Sequence, residues 1–211
     1  MKKVVWTLAV GNYFPELCEI TLPNHARYAE KIGAEFKVIT ERAYPEWHPT
    51  YEKVQVFNLG KGNDWNIHLD ADLLVSPDMP DVTAADPYTV GWYSLYDAAL
   101  YFQADRYFAR DGRRAGICSA FLAVPAACHD LWEPFDVPYS EALKGINKPH
   151  GIDDYCFSRN FAKYGLKGDF FNYESPSRYV WHLSVGGPEK ERWNDRILKE
   201  AAEVLEAWRA R

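Results

Sequence analysis

The sequence lacks an excess of basic residues, long apolar runs and a leader-like N-terminus. It holds 24 Lys and Arg against 30 Asp and Glu, which gives a formal net charge of −6. Because nucleic-acid-binding surfaces are basic, this balance predicts no nucleic-acid partner. No apolar stretch is long enough to cross a bilayer, so no transmembrane segment is expected. The opening MKKVVWTLAV has neither a long apolar region nor a small-residue cleavage site, which indicates a strand and not a signal peptide.

Cysteine is also scarce. The four residues are Cys18, Cys118, Cys128 and Cys156, and no two of them form a CxxC pair. A zinc site built from them is therefore not expected. Scattered cysteines of this kind are typical of reduced, buried thiols. Because disulfides are rare in the cytoplasm, this usage is consistent with a cytoplasmic protein, which is the localisation we predict.

The first part of the chain alternates between strand-like and helix-like segments. Apolar or alternating patterns predict strands at 3–10, 35–40 and 65–69, and helical spacing predicts helices at 16–32 and 51–60. Pro23 predicts a kink, or two helical pieces, within the first helix. This order predicts right-handed βαβ units and a parallel sheet with helices on both faces.

The remaining segments are less regular. Strands are predicted at 88–95, 117–124, 168–172 and 178–183, and helices at 151–164 and 189–210. The last helix carries an apolar stripe that includes Trp193 and Trp208. We expect this stripe to pack on the core, with a homodimer contact as the alternative. No repeat or linker interrupts the chain, so we expect a single domain over residues 1–211.

Two aspartates one residue apart interrupt the apolar stretch NIHLDADLLV. Asp70 and Asp72 follow a predicted parallel strand, at the end of the sheet where ligands bind in such folds. Two converging carboxylates repel each other unless a cation lies between them. Mg²⁺ and Mn²⁺ accept oxygen ligands and leave positions for phosphates, so the pair predicts a metal-bound diphosphate. The alternative is that one aspartate caps a turn and the other faces solvent.

The stretch IHLDADLLV resembles the DxD strand of nucleotide-sugar-dependent glycosyltransferases with the GT-A fold, in particular the glycogenin and lipopolysaccharide galactosyltransferase-like group. VVWTLAVGNYF, HARYAEKIGAEFKVI and YEKVQVFNLGKGNDWNIHLDAD resemble the segments that precede that strand. The resemblance continues through ICSAFLAV and extends to His182. It implies an α/β, Rossmann-like GT-A fold: a mostly parallel central sheet with helices on both faces, plus a C-terminal helix.

The resemblance also implies a function. It predicts a metal-dependent hexosyltransferase, of the retaining kind, that moves a sugar from a UDP-sugar to a carbohydrate acceptor. Asp70, Asp72 and His182 would hold Mn²⁺ or Mg²⁺. The predicted donor-binding residues are Thr7, Ala9, Tyr13, Lys53, Asp70, Ser119, Gly186 and Gly187.

The segment GIDDYCF resembles an acidic pair at the start of a helix near the reacting sugar. This makes Asp153 and Asp154 the candidate catalytic residues. The alternative for them is a purely structural role, because aspartate at a helix N-terminus caps the helix and meets its dipole favourably. The sequence departs from the group at Cys118 and Ser119, where an asparagine that touches the donor sugar is usual.

Two other functions remain open at this point. A HAD-like phosphatase also uses a DxD motif after a strand, although that strand is normally the first one. A non-catalytic module that binds a nucleotide-sugar would keep the fold and the acidic pair without turnover.

Overall fold

The computed structural model describes residues 1–11, 13–93, 116–170, 179–183 and 190–210. Its strands are β1 Lys3–Leu8, β2 Glu35–Ile39, β3 Trp65–Asp70, β4 Leu73–Val75, β5 Thr89–Tyr93, β6 Phe121–Pro125, β7 Lys167–Phe170 and β8 Val180–His182. Its helices are α1 Pro15–Lys31, α2 Val56–Leu59, α3 Tyr139–Ala142, α4 Ile152–Lys163 and α5 Lys190–Arg209. Short 3₁₀ turns lie at Pro49–Gln55, Val82–Ala84, Ala126–Trp132, Leu143–Gly145 and Pro149–Gly151.

Six of the described strands form one sheet in the order β2-β1-β3-β6-β5-β7. β1 runs parallel to β2 and β3, and β5 runs parallel to β7. Among these strands only β6 runs antiparallel to its neighbours, β3 and β5. The predicted mostly parallel central sheet is confirmed.

Both faces of the sheet are covered. In β3 the consecutive residues His68 and Leu69 are fully buried, although neighbouring strand residues point to opposite faces. On the Leu69 face, Tyr28 of α1 contacts Phe121, the residue paired with Leu69. On the His68 face, the ring of Trp132 packs against the imidazole. Trp132 in turn contacts α4, so helices flank the sheet on the two sides.

Helix α1 excludes one of the two expectations for Pro23. The segment is not divided into two helical pieces, because α1 is one continuous helix with Pro23 inside it. A kink at Pro23 stays a prediction. Proline removes the hydrogen bond that its N–H would make to the carbonyl four residues earlier, here that of Glu19. Glu19 is exposed, so water can solvate its carbonyl. The buried side chains of α1, which dock the helix on the sheet, outweigh the lost bond.

The segment at 51–60 also differs from the single helix predicted for it. It begins as the 3₁₀ turn Pro49–Gln55 and continues as α2. Tyr51, Glu52, Lys53 and Val54 are all buried, so these four consecutive residues present no exposed face. An amphipathic pattern predicts a helix with one buried face and one exposed face. The first turn of this segment has no exposed face, so the pattern did not describe it.

A small second sheet pairs β4 with β8. Its register places Leu73 opposite His182, and the Leu183 N–H donates to the Asp72 carbonyl at 2.9 Å. A second apolar cluster covers this sheet from α5; its buried members are Leu17, Leu74, Leu183, Ile197, Ala201 and Trp208. The stripe on α5 therefore packs on the core of its own chain. The side chain of Trp193 lies outside the described residues.

All four cysteines are free and buried, as predicted. No described helix is both long enough and apolar enough to span a bilayer.

Candidate active site

The two aspartates of the DxD motif lie at the carboxyl end of β3, in a turn that leads directly into β4. Asp70 is the last residue of β3, and its N–H donates to the Ala120 carbonyl at 2.8 Å. Its side chain keeps 23% of its exposure, and Asp72 is 9% exposed. This turn interrupts the alternation of side chains between the two faces of the strand. The carboxylates of Asp70 and Asp72 can therefore point to the same side.

His182 joins the two aspartates because β8 pairs with β4. One ligand atom from each of Asp70, Asp72 and His182 lies within 4.8 Å of the others. His182 Nε2 is 3.4 Å from Asp72 Oδ1. Burial disfavours the charged imidazole, but the Asp72 carboxylate outweighs this effect and raises the pKa of His182. Two carboxylates and one imidazole form a donor set that fits Mn²⁺ or Mg²⁺.

Lys53 forms the centre of the site. Its side chain is almost completely buried, and Nζ lies 2.6 Å from Asp70 Oδ1, 2.7 Å from Asp153 Oδ2 and 2.9 Å from Ser119 Oγ. An ammonium group has three N–H donors, and these three acceptors use them all. Burial opposes the charge, but the surrounding carboxylates outweigh it and raise the pKa of Lys53. The residue is therefore a buried cation and not a solvated lysine.

The acidic pair of α4 is tied to the same centre through Ser119. Ser119 Oγ donates to Asp153 Oδ2 at 2.7 Å, and the Ser119 N–H donates to Asp154 Oδ1 at 2.6 Å. Gly151, which precedes the helix, makes no side-chain cap, and the two aspartates bind Ser119 instead of the helix's own N–H groups. Burial and the Asp153 charge raise the pKa of Asp154 to about 7.

Three of the predicted donor-binding residues, which the resemblance places at the nucleoside, have different environments. Thr7 is fully buried, and its hydroxyl forms a hydrogen bond with His25 Nδ1 at 2.9 Å. The hydroxyl therefore has a partner inside the core. The Ala9 N–H donates to the Ile39 carbonyl at 2.9 Å. Tyr13 is partly exposed, and burial together with the negative charges of Asp72 and Asp70 raises the pKa of its hydroxyl.

Gly186 and Gly187 lie outside the described residues. Hydrogen bonds and ion pairs connect five of the predicted residues into one cluster: Lys53, Asp70, Ser119, Asp153 and Asp154. Asp72 and His182 lie next to Asp70 of this cluster.

Two histidines of the site were not predicted. His68 Nε2 lies 2.9 Å from Asp70 Oδ1, and burial lowers the pKa of His68, so the neutral ring donates to the carboxylate. Its spacing of two residues before Asp70 on a strand was a usable signal, because such residues share a face. His25 donates from Nε2 to the Leu73 carbonyl at 2.8 Å, beneath the turn that carries Asp72. Nothing in the helical pattern of α1 distinguishes His25 from an ordinary core residue.

No protein-family model and no curated protein matches the sequence. Solved structures do resemble it. A glycosyltransferase involved in the glycosylation of the major capsid of PBCV-1 matches with a TM-score of 0.55 at 10% identity, over 93% of this chain and 99% of that one. The galactosyltransferase LgtC, solved with donor and acceptor sugar analogues, matches with a TM-score of 0.51 at 12% identity, over 95% of both chains.

A mutant of the Drosophila beta-1,4-galactosyltransferase 7 was solved with manganese, UDP-Gal and xylobiose. It matches with a TM-score of 0.52 at 11% identity, over 92% of this chain and 79% of that one. At such low identity the likeness is one of fold. The predicted GT-A fold is confirmed.

Proposed function

We propose that this protein is a metal-dependent glycosyltransferase that moves a sugar from a UDP-sugar to a carbohydrate acceptor. The observation that carries the proposal is the convergence of Asp70, Asp72 and His182 at the carboxyl end of β3 in a GT-A fold. Structures of the same fold support it, since one was solved with manganese and a UDP-sugar and another with donor and acceptor analogues.

The cation would be Mn²⁺ or Mg²⁺, held by Asp70, Asp72 and His182. When bound, it supplies positive charge to the diphosphate that leaves as the sugar is transferred. His68 and Lys53 bind Oδ1 of Asp70, which keeps the carboxylate ionised and fixes its orientation. Burial acts against that ionisation, but Lys53 and His68 outweigh it and hold the pKa of Asp70 below its usual range.

The donor would lie along the same edge of the sheet. Thr7, Ala9 and Tyr13 remain proposed contacts to the nucleoside. Gly186 and Gly187 remain proposed contacts to the diphosphate. We also propose retention of configuration at the anomeric carbon, on the resemblance of the DxD segment to the glycogenin-like group.

The phosphatase alternative has less support. Its DxD motif normally follows the first strand, whereas Asp70 ends β3. A non-catalytic module that binds a nucleotide-sugar would have the same cation site, but it would not transfer the sugar.

The test is a screen for UDP release from UDP-glucose and UDP-galactose in Mn²⁺, with glycan acceptors and with EDTA. We expect release that EDTA abolishes, and an anomeric NMR signal of the product with the donor's configuration. Hydrolysis of p-nitrophenyl phosphate in place of UDP release would support the phosphatase. Binding of UDP-sugars without any release would support the module.

A further inference from the structure

His68 precedes Asp70 by two residues on β3, and its two ring nitrogens have different surroundings. Nε2 lies 2.9 Å from Asp70 Oδ1. Because a carboxylate only accepts hydrogen bonds, Nε2 carries the hydrogen, and Nδ1 of the neutral ring is an acceptor. Nδ1 is buried and has no hydrogen-bond partner within the part of the chain that the structure describes. A buried acceptor without a donor is costly, so this nitrogen needs a partner.

The indole of Trp132 has the complementary property. It is fully buried, and its Nε1–H, which can only donate, has no acceptor among the described residues. The indole and the imidazole of His68 are neighbours, with ring centroids 6.5 Å apart and planes at 70°. This separation exceeds the 5.2 Å between the indole and the ring of Phe157. It is about the span of two ring edges joined by a hydrogen bond of about 3 Å.

Helix α4 fixes the position of Trp132. Asn160 Nδ2 donates to the Leu131 carbonyl at 3.0 Å and to the Glu133 carbonyl at 2.7 Å, so the backbone is held on both sides of the tryptophan. Phe157, on the same helix, packs its ring against the indole. Because the backbone and the ring are both held, the indole N–H cannot turn to solvent to find an acceptor. The acceptor it needs is therefore one in the core.

The partner of Nδ1 decides what His68 offers to Asp70. A neutral imidazole has two tautomers, and the hydrogen bond made by one ring nitrogen determines which nitrogen carries the hydrogen. An indole N–H at Nδ1 excludes the tautomer with hydrogen on Nδ1, because two donors would then meet. The tautomer that remains is the one that donates from Nε2 to Asp70.

Building on the proposed function, we propose that Trp132 is a positioning residue of the cation site. Its indole N–H donates to His68 Nδ1, directly or through one internal water, and so fixes the tautomer that donates to Asp70. A chain of contacts then connects α4, through Trp132 and His68, to a carboxylate that would hold Mn²⁺ or Mg²⁺. Such outer partners orient a metal ligand and raise its affinity for the metal. Trp132 itself contacts neither the cation nor the substrate.

The first test is heteronuclear NMR on nitrogen-labelled wild-type protein without metal. We expect His68 to carry hydrogen on Nε2 and none on Nδ1, with its signals assigned by their loss in His68→Gln. A scalar coupling between Trp132 Nε1 and His68 Nδ1 would identify the direct hydrogen bond. A nuclear Overhauser effect from the indole hydrogen to a bound water would identify the bridged one. Hydrogen on Nδ1, or the absence of both the coupling and the bound water, would overturn the proposal.

The second test measures Mn²⁺ affinity from the electron paramagnetic resonance signal of the free ion. His68→Leu removes the donor to Asp70 and should lower the affinity by at least about 10-fold. Trp132→Phe keeps an aromatic ring and removes the N–H, so we expect a smaller, several-fold loss. The matched control is Trp65→Phe, a buried tryptophan at the opposite end of β3, which should leave the affinity unchanged.

His68→Gln separates positioning from packing. Glutamine has no tautomers and can place an amide N–H where Nε2 lies, so it donates to Asp70 without help from the indole. In this background Trp132→Phe should lower the melting temperature and leave the Mn²⁺ affinity unchanged. An equal loss of affinity in both backgrounds would show that Trp132 acts through packing alone. If the wild type binds no Mn²⁺, the proposed function fails, and the NMR result alone decides the hydrogen bond.

Discussion

Lys53 lies between two carboxylates, 2.6 Å from that of the partly buried Asp70 and 2.7 Å from that of the buried Asp153. Without this ammonium the two acids would face each other in the interior, where burial favours the protonated form and like charges repel. Asp70 needs to be ionised to bind a metal ion, and the buried ammonium group of Lys53 keeps it ionised. At the scale of the residue, the site depends on this pairing of one ammonium group with two carboxylates.

Replacing Lys53 tests that balance. Lys53→Met removes one partner from a buried ion cluster, so we expect the free energy of unfolding to fall by about 3–5 kcal/mol at pH 7. The deficit should shrink as the pH is lowered and the carboxylates become protonated. Urea unfolding measures both effects, and the exposed Lys61→Met serves as the control, with a change within about 0.5 kcal/mol. Equal stability of the two variants would contradict the buried cluster.

At the scale of the element, helix α1 completes the edge of strand β4. Asn24 donates to the Val75 carbonyl at 2.8 Å and accepts from the Val75 N–H at 2.7 Å. His25 donates to the carbonyl of Leu73, which directly follows Asp72. These bonds satisfy backbone groups that a three-residue strand would otherwise leave unpaired on one edge. Helix α1 therefore fixes the position of β4, the strand that follows the DxD turn.

His25, which binds α1 to β4, should make the stability of the folded protein depend on pH. Burial lowers the pKa of His25 to about 4, whereas the unfolded chain titrates near 6.5. Between these values the unfolded state binds a proton that the folded state does not, so stability falls as the pH falls. We expect the stability of the wild type relative to His25→Gln to drop by roughly 2 kcal/mol from pH 7.5 to pH 5. A difference that stays constant across this range would show that His25 is not held neutral.

Helix α5 is bound to the rest of the chain through the second apolar cluster. Ile197 is fully buried there, in the same cluster as Leu183, which directly follows His182. Ile197→Ala should lower the free energy of unfolding by about 2–5 kcal/mol, whereas Val204→Ala, which is only half-buried, should cost less. Chemical denaturation measures both variants. A smaller loss at Ile197 than at Val204 would contradict the packing of this helix.

At the scale of the whole molecule, sequence patterns predicted the features whose cause is local. The alternation of strands and helices predicted the parallel sheet, and the position of Asp70 and Asp72 after an apolar strand predicted the place where they lie. His182 was identified through the resemblance, and the β4–β8 register explains its position.

Features that depend on distant partners were not predictable in this way. The sequence did not show that Lys53 is buried in an ion cluster, because its partners Ser119, 66 residues later, and Asp153 lie far along the chain. The hydrogen bond between the Thr7 hydroxyl and His25 was equally hidden, because the two residues lie on different elements, β1 and α1. A division of α1 at Pro23 was expected as one alternative because sequence patterns do not include the tertiary contacts that stabilise the helix.

The measurement that tests the central claim most directly is a calorimetric titration of UDP into the protein with Mn²⁺, with EDTA, and with Asp72→Asn. Asp72 faces His182 across the predicted cation site. We predict binding that requires both the metal and Asp72, with Asp195→Asn binding like the wild type. UDP binding of equal strength in EDTA and in Asp72→Asn would contradict a metal-bound diphosphate at this site.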